Sequence, residues 1–128
     1  MKKKNIIVTG GSGFIGSELV RTLCFDNKYN IINIDNLNYS GNNLNLKEIK
    51  KRNYRFIKLD IKNYIKLSKC LLDLNPDIIF HLAAQTHVDR SIDHPSDFID
   101  TNVLGTFNLI ESCRGYLKKK KKKILNLF

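Results

Sequence analysis

The sequence predicts a doubly wound α/β domain of Rossmann type, a parallel sheet with helices on both faces, and three observations carry that prediction. Short strand-like segments (Ile6 to Val8; Ile31, Ile32 and Ile34; Tyr54 to Leu59; Ile78 to Leu82) alternate with stretches in which apolar residues recur three and four apart. Parallel strands need a crossover between them, so strand-helix alternation is how such a sheet is written. The first run ends in the glycine-dense stretch Val8-Thr9-Gly10-Gly11-Ser12-Gly13-Phe14-Ile15-Gly16. The second ends in Asp35, nineteen positions past Gly16.

The glycine turn has two overlapping spellings. Gly11, Gly13 and Gly16 read GxGxxG, and Gly10, Gly13 and Gly16 read GxxGxxG. A strand, a tight turn and a helix start aim backbone N–H groups and the positive end of a helix dipole at one point, where a pyrophosphate sits. A Cβ there would block the turn or hold the phosphate off the backbone. A carboxylate at Asp35 accepts ribose hydroxyls and repels a 2′-phosphate, which favours NAD over NADP. The plainer alternatives are a glycine turn without a ligand, with Asp35 and Asp60 as strand-end or turn carboxylates.

A chain of 128 residues, 42% hydrophobic, is one globular domain and short for a cofactor enzyme with a separate substrate domain. Its net charge of +10 suggests a polyanionic partner, but nine lysines at Lys2 to Lys4 and Lys118 to Lys123 supply nearly all of it. The fold between is close to neutral, so neither a nucleic-acid nor a membrane partner is expected. Cys24, Cys70 and Cys113 form no CxxC pair, which argues against a zinc site or a disulfide framework and for a reducing cytoplasm. The apolar stretch after Met1 is too short for a signal peptide, and none approaches transmembrane length.

In order, the pattern predicts strand one at 5–9, helix one at 14–25 and strand two ending at Asp35, then a polar loop at 36–43 over the adenosine side. A short helix at 44–51, strand three at 54–59 and a helix at 64–74 follow, ended by Asn75-Pro76. Strand four is placed at 78–82 and a connection at 83–91. Helix four runs over 95–116, opened by Pro95 and with Ile99, Val103, Phe107 and Ile110 along one side. The lysine run and Ile124 to Phe128 close the chain as a tail (118–128) holding an incipient fifth strand, beyond a cofactor-binding part (1–117). The strand order expected is 3-2-1-4, and ligands gather where its strands end.

The motifs TGGSGFIG (Thr9 to Gly16), DNLNYSGN (Asp35 to Asn42), LDI (Leu59 to Ile61), HLAAQTHVDRSI (His81 to Ile92) and TNVLGT (Thr101 to Thr106) resemble the extended short-chain dehydrogenase/reductase superfamily. Within it they are most similar to the nucleotide-sugar 4,6-dehydratases, those acting on dTDP-glucose above all. Asn38 departs from the family's threonine. The resemblance implies NAD as cofactor: Gly10, Gly13, Phe14, Ile15 and Gly16 at the pyrophosphate, Asp35, Asn36, Leu37 and Asn38 at the ribose, and Asp60 and Ile61 at the adenine. Leu82, Ala83, Ala84, Gln85 and Thr86 would run beneath the nicotinamide half, and Thr101 would also face the cofactor. Thr86, His87, Asp89, Arg90 and Ser91 would face the nucleotide-sugar substrate. Bland readings stand beside these: His87 bonded to backbone, and Arg90 paired with Asp89 or Asp93.

The family's reaction needs a tyrosine acidified by a lysine four residues on, plus an acid/base pair, and the resemblance places all of these beyond Phe128. Tyr54 with Lys58 and Tyr116 with Lys120 have the spacing. A strand puts the first pair about 13 Å apart, and the second falls at the sheet edge opposite the ligand. The chain is therefore expected to be the N-terminal part of a lyase, inactive alone, its full-length relatives homodimers. The alternatives are a non-catalytic NAD-binding module, a half-enzyme completed by a partner chain, or a related UDP-sugar epimerase or dehydratase.

Overall fold

The computed structural model describes residues 2–38, 41, 43–49 and 52–128. Five parallel strands, β1 (Lys4–Thr9), β2 (Tyr29–Asp35), β3 (Tyr54–Lys58), β4 (Ile78–His81) and β5 (Asn126–Leu127), form one sheet in the order β3-β2-β1-β4-β5. The expected order is borne out, and the incipient fifth strand pairs with β4. Successive residues of β1 point to opposite faces. Ile6 and Val8 join Ile31, Val20, Cys24 and Leu46 under α1 (Phe14–Cys24). On the other face Ile7 joins Ile32, Ile34 and Ile79, which meet α2 (Tyr64–Leu74) and a longer C-terminal helix through Leu67, Leu71, Leu109, Cys113 and Tyr116. Both faces are covered, so the central strands read as apolar runs rather than alternations.

α2 keeps its expected bounds because both ends are marked. The Asn63 side chain accepts from the Lys66 N–H (3.1 Å), and Asn75 closes the helix in the left-handed region before Pro76.

Three elements differ from expectation. The helix expected at 44–51 is a 3₁₀ turn, Asn43–Leu46, and Lys50 and Lys51 lie outside the described residues. Leu46 is buried under α1 and Ile49 packs beside it half-buried, while Leu44 is exposed, so the segment has too little apolar face to hold a longer helix. The connection at 83–91 contains the start of a short helix, α3 (Val88–Asp93), in which no residue is buried. Without a buried face it leaves no periodic signal.

Helix four is helical throughout from Pro95 to Lys120, but not uniformly. α4 (Pro95–Phe98) passes into a π-helical segment (Ile99–Gly105) and then into α5 (Thr106–Lys120). Its apolar stripe faces away from the sheet: Ile99, Val103, Phe107 and Ile110 are all exposed. The side that packs is polar and small, with Thr101, Gly105, Asn108, Ser112 and Cys113 around Leu109 and Tyr116.

The lysine run is part of the architecture. Lys118, Lys119 and Lys120 form the last turn of α5, where cations oppose the helix dipole, and Lys121 ends it in the left-handed region. The Lys122 ammonium lies 2.7 Å from the Tyr116 hydroxyl and 3.9 Å from Asp77. Tyr116 is buried and donates to the Pro76 carbonyl (3.0 Å), so it sits where β4 begins. Tyr54 accepts from Asn33 (3.3 Å) at the start of β3, and burial raises its pKa. Neither tyrosine of the two Tyr-x-x-x-Lys pairs is at the edge where the strands end.

The substitution Tyr116→Phe leaves the Pro76 carbonyl and the Lys122 ammonium without their shared partner. It is expected to lower stability by about 1–2 kcal/mol in urea unfolding. An unmoved midpoint contradicts this placement of Tyr116.

Candidate functional site

The site is built on a turn that tolerates no side chain at two points. Gly10 has φ 70°, and a Cβ on it would lie 2.6 Å from the Ala83 nitrogen. A Cβ on Gly16 would lie 2.1 Å from the Gly10 carbonyl oxygen. α1 therefore starts directly under the end of β1. Gly13 is its N-cap, no side chain caps the helix, and its first turn carries no acid. A Cβ on Gly13 would meet only the Gly10 oxygen, at 3.4 Å, so its space opens toward solvent rather than into the fold. Gly11 faces Asn33 on β2 instead and does not line the cleft. The spelling at the site is thus GxxGxxG, through Gly10, Gly13 and Gly16.

The turn, the ends of β2, β3 and β4 and the π-helical segment enclose a cleft of about 580 Å³. Every residue expected along the cofactor lines it except Leu37 and Gln85, and Ile34, Gly41 and Leu59 join them. Leu37 adopts φ 57°, uncommon for a leucine, and its N–H donates to Asp35 Oδ1 (2.8 Å). Asp35 Oδ2 accepts from the Ser12 N–H (3.0 Å), so two backbone bonds hold the carboxylate at the cleft wall. Tyr39, Ser40 and Asn42 of the same loop lie outside the described residues.

Asp60 accepts from the Lys62 N–H (2.9 Å) and from Asn36 (3.4 Å), closing the turn after β3 against the one after β2. Asn108, unnoticed in the sequence, braces that turn from α5 by donating to the carbonyls of Ile61 (3.2 Å) and Lys62 (3.0 Å). Gln85 shapes its stretch through its backbone: its N–H donates to Asn102 Oδ1 (2.8 Å) and its carbonyl accepts from Asn102 Nδ2 (3.0 Å). Of the residues expected at a substrate, Thr86 and His87 line the cleft. Asp89, Arg90 and Ser91 sit on α3 outside it, and the Ser91 hydroxyl donates to Val88 of its own helix.

The donors fit an elongated anion with a vicinal diol. Uncapped N–H groups at a helix start meet a diphosphate, a fixed carboxylate accepts two hydroxyls, and Gly13 leaves room for close approach. Thiol chemistry is absent from the cleft: burial pushes the Cys113 thiol up to about 11 and raises Cys70, and no cysteine lines it. Among the described residues no helix is long and apolar enough to cross a membrane, and no cluster of three His, Cys, Asp or Glu is placed to hold a metal.

Residues 7–127 match the family described as GDP-mannose 4,6 dehydratase. A probable dTDP-glucose 4,6-dehydratase of Sinorhizobium fredii is 47% identical over 112 residues, 87% of this chain and 32% of the relative. The crystal structure of a dTDP-glucose 4,6-dehydratase from Streptomyces venezuelae with NAD bound superposes with a TM-score of 0.80 at 38% identity, over 88% of this chain and 36% of the other. A Thermotoga maritima UDP-glucose 4-epimerase with UDP-glucose gives 0.77 at 38%, over 88% and 34%. The chain thus spans about a third of the length of the curated relatives it matches.

One titrating group ties the cleft's elements together. His81, at the end of β4, lies 2.7 Å from the Thr9 hydroxyl through Nδ1 and 2.9 Å from the Thr106 hydroxyl through Nε2. Thr9 Oγ1 also accepts from the N–H groups of Leu82 (3.2 Å) and Ala83 (3.3 Å), so its proton is free to go to Nδ1 of a neutral ring. Burial lowers the His81 pKa below 6.5. The unfolded chain then takes up a proton that the folded one resists, so this contribution to stability is lost as pH falls through 6.5 and levels off below the lowered folded value. Thermal denaturation between about pH 8 and 5 should show that decline, and His81→Gln should flatten it. An identical slope in the variant contradicts the assignment.

Proposed function

The chain belongs to the family described as GDP-mannose 4,6 dehydratase, and on that premise we propose that it is the cofactor-binding part of an NAD-dependent nucleotide-sugar 4,6-dehydratase. The substrate proposed is dTDP-glucose, on the strength of the dehydratase relatives. The observation that carries the reading is the meeting of α1's uncapped N-terminus and the Asp35 carboxylate on one cleft.

When bound, NAD supplies a hydride acceptor. In this reading the α1 N-terminus and Gly13 hold the pyrophosphate, Asp35 accepts the adenosine ribose hydroxyls, and Asp60 and Ile61 flank the adenine. Residues 82–86, fixed by Thr9 and Asn102, support the nicotinamide half, with Thr86 and His87 turned toward the sugar. The reducing cytoplasm suits three cysteines that form no disulfide. Neither Tyr54 nor Tyr116 is placed to abstract a proton at the cleft. The 128 residues alone are accordingly assigned binding without turnover. A UDP-sugar epimerase is the second reading, because an epimerase structure matches the chain at the same 38% identity as the dehydratase structure.

Calorimetric titration tests the reading. NAD should bind measurably tighter than NADP, and saturating NAD at about a hundredfold over its Kd should stabilise the fold by about 2.7 kcal/mol. Gly13→Ala should weaken NAD by about tenfold while leaving the melting temperature nearly unchanged, since its methyl enters the ligand's space rather than the protein's. Equal affinity for NADP, or an unaffected Gly13→Ala, contradicts the assignment. Incubated with dTDP-glucose and NAD, the chain should form no 4-keto sugar. Product formation overturns the claim of binding without turnover.

A further inference from the structure

Ser12 is fully buried in the glycine turn, and three side chains hold its backbone and hydroxyl. Its N–H donates to Asp35 Oδ2 (3.0 Å), its hydroxyl accepts from Asn33 Nδ2 (3.0 Å), and its carbonyl accepts from Asn45 Nδ2 (3.2 Å). Asn33 and Asp35 belong to β2. Asn45 comes from the 3₁₀ turn Asn43–Leu46, thirty-three residues away in the chain. It does not line the cleft but flanks the outer side of α1, beside Leu19 and Arg21. Its own carbonyl accepts from Arg21 (2.7 Å), and Leu46 beside it is buried under α1, so the donor is held in place.

The peptide linking Ser12 to Gly13 is planar and trans, so its C=O and N–H point in opposite directions. The Gly13 N–H donates to the Gly10 carbonyl (3.2 Å), and the Ser12 carbonyl is held by Asn45. With both ends bonded the peptide has one orientation. Freed of Asn45, it can rotate and turn its carbonyl oxygen toward the helix start. A negative dipole would then face the seat of an anion.

We propose that Asn45 is a positioning residue for the pyrophosphate site: by bonding the Ser12 carbonyl from behind, it keeps that oxygen out of the anion's seat and fixes the peptide dipole in the sense that favours phosphate. The proposal rests on the NAD reading above. It assigns a ligand-binding consequence to a side chain that never meets the ligand.

The test compares the wild-type chain with Asn45→Asp and Asn45→Ala, each titrated with NAD by calorimetry and with adenosine by NMR. Aspartate keeps the size but sets an acceptor against the Ser12 carbonyl; alanine only removes the donor. NAD affinity should fall at least about tenfold in Asn45→Asp and about threefold in Asn45→Ala, while adenosine, which has no phosphate, changes by less than about twofold. A merely structural role would weaken both ligands in parallel, and that result, or unchanged NAD affinity, overturns the proposal. Should Asn45→Asp not fold, Asn45→Ala decides on the same ratio. A wild-type chain that binds adenosine but not NAD overturns the underlying reading instead.

Discussion

The ligand edge depends on one close approach, that of the Gly16 Cα to the carbonyl of Gly10, where even a methyl group would stand 2.1 Å from the oxygen. It brings α1 in directly under the end of β1, so the first turn of the helix opens into the cleft instead of onto the protein's flank. The left-handed conformation of Gly10 belongs to the same constraint, because it lets the chain turn while touching the backbone at Leu82 and Ala83. The stretch after β4 is thereby set against the turn after β1. Two walls of the cleft thus come from two close main-chain approaches that share Gly10.

Such an edge is rich in buried polar groups, and the fold satisfies nearly all of them from neighbouring strands and from α5. Thr9, His81 and Thr106 link β1, β4 and α5, while Asp35 and Asn33 hold the glycine turn from β2. Asn108 does the same for the turn after β3. Two buried side-chain oxygens among the described residues, Asn33 Oδ1 and Gln85 Oε1, have no hydrogen-bond partner. Both lie behind the cleft wall, where an unmet acceptor is a cost the rest of the packing offsets.

What was legible in the sequence is what local chemistry dictates. The first strand, glycine turn and helix, the carboxylate at Asp35 and the bounds of α2 are each written in residues next to one another. What was hidden depends on distant partners. Asn45 and Asn108 read as ordinary polar residues, because their hydrogen bonds reach across 33 and 47 positions. α3 buries nothing and so has no period. The clearest stripe of helix four, Ile99 to Ile110, faces away from the sheet, because the π-helical segment and α5 pack through small and polar residues. The lysine run reads as a solvated tail until Tyr116 and Asp77 are placed beside Lys122.

On the proposed reading the cleft is the seat of a dinucleotide, formed by the start of α1 and the Asp35 carboxylate. The central claim is that the diphosphate rests on the start of α1, and backbone amide NMR during titration with NAD tests it most directly. The account predicts that the largest shifts fall on Gly13 to Gly16, with Leu37 and Ile61 moving less. Shifts centred on Lys2 to Lys4 and the lysines at the end of α5, with Gly13 to Gly16 unmoved, would contradict it.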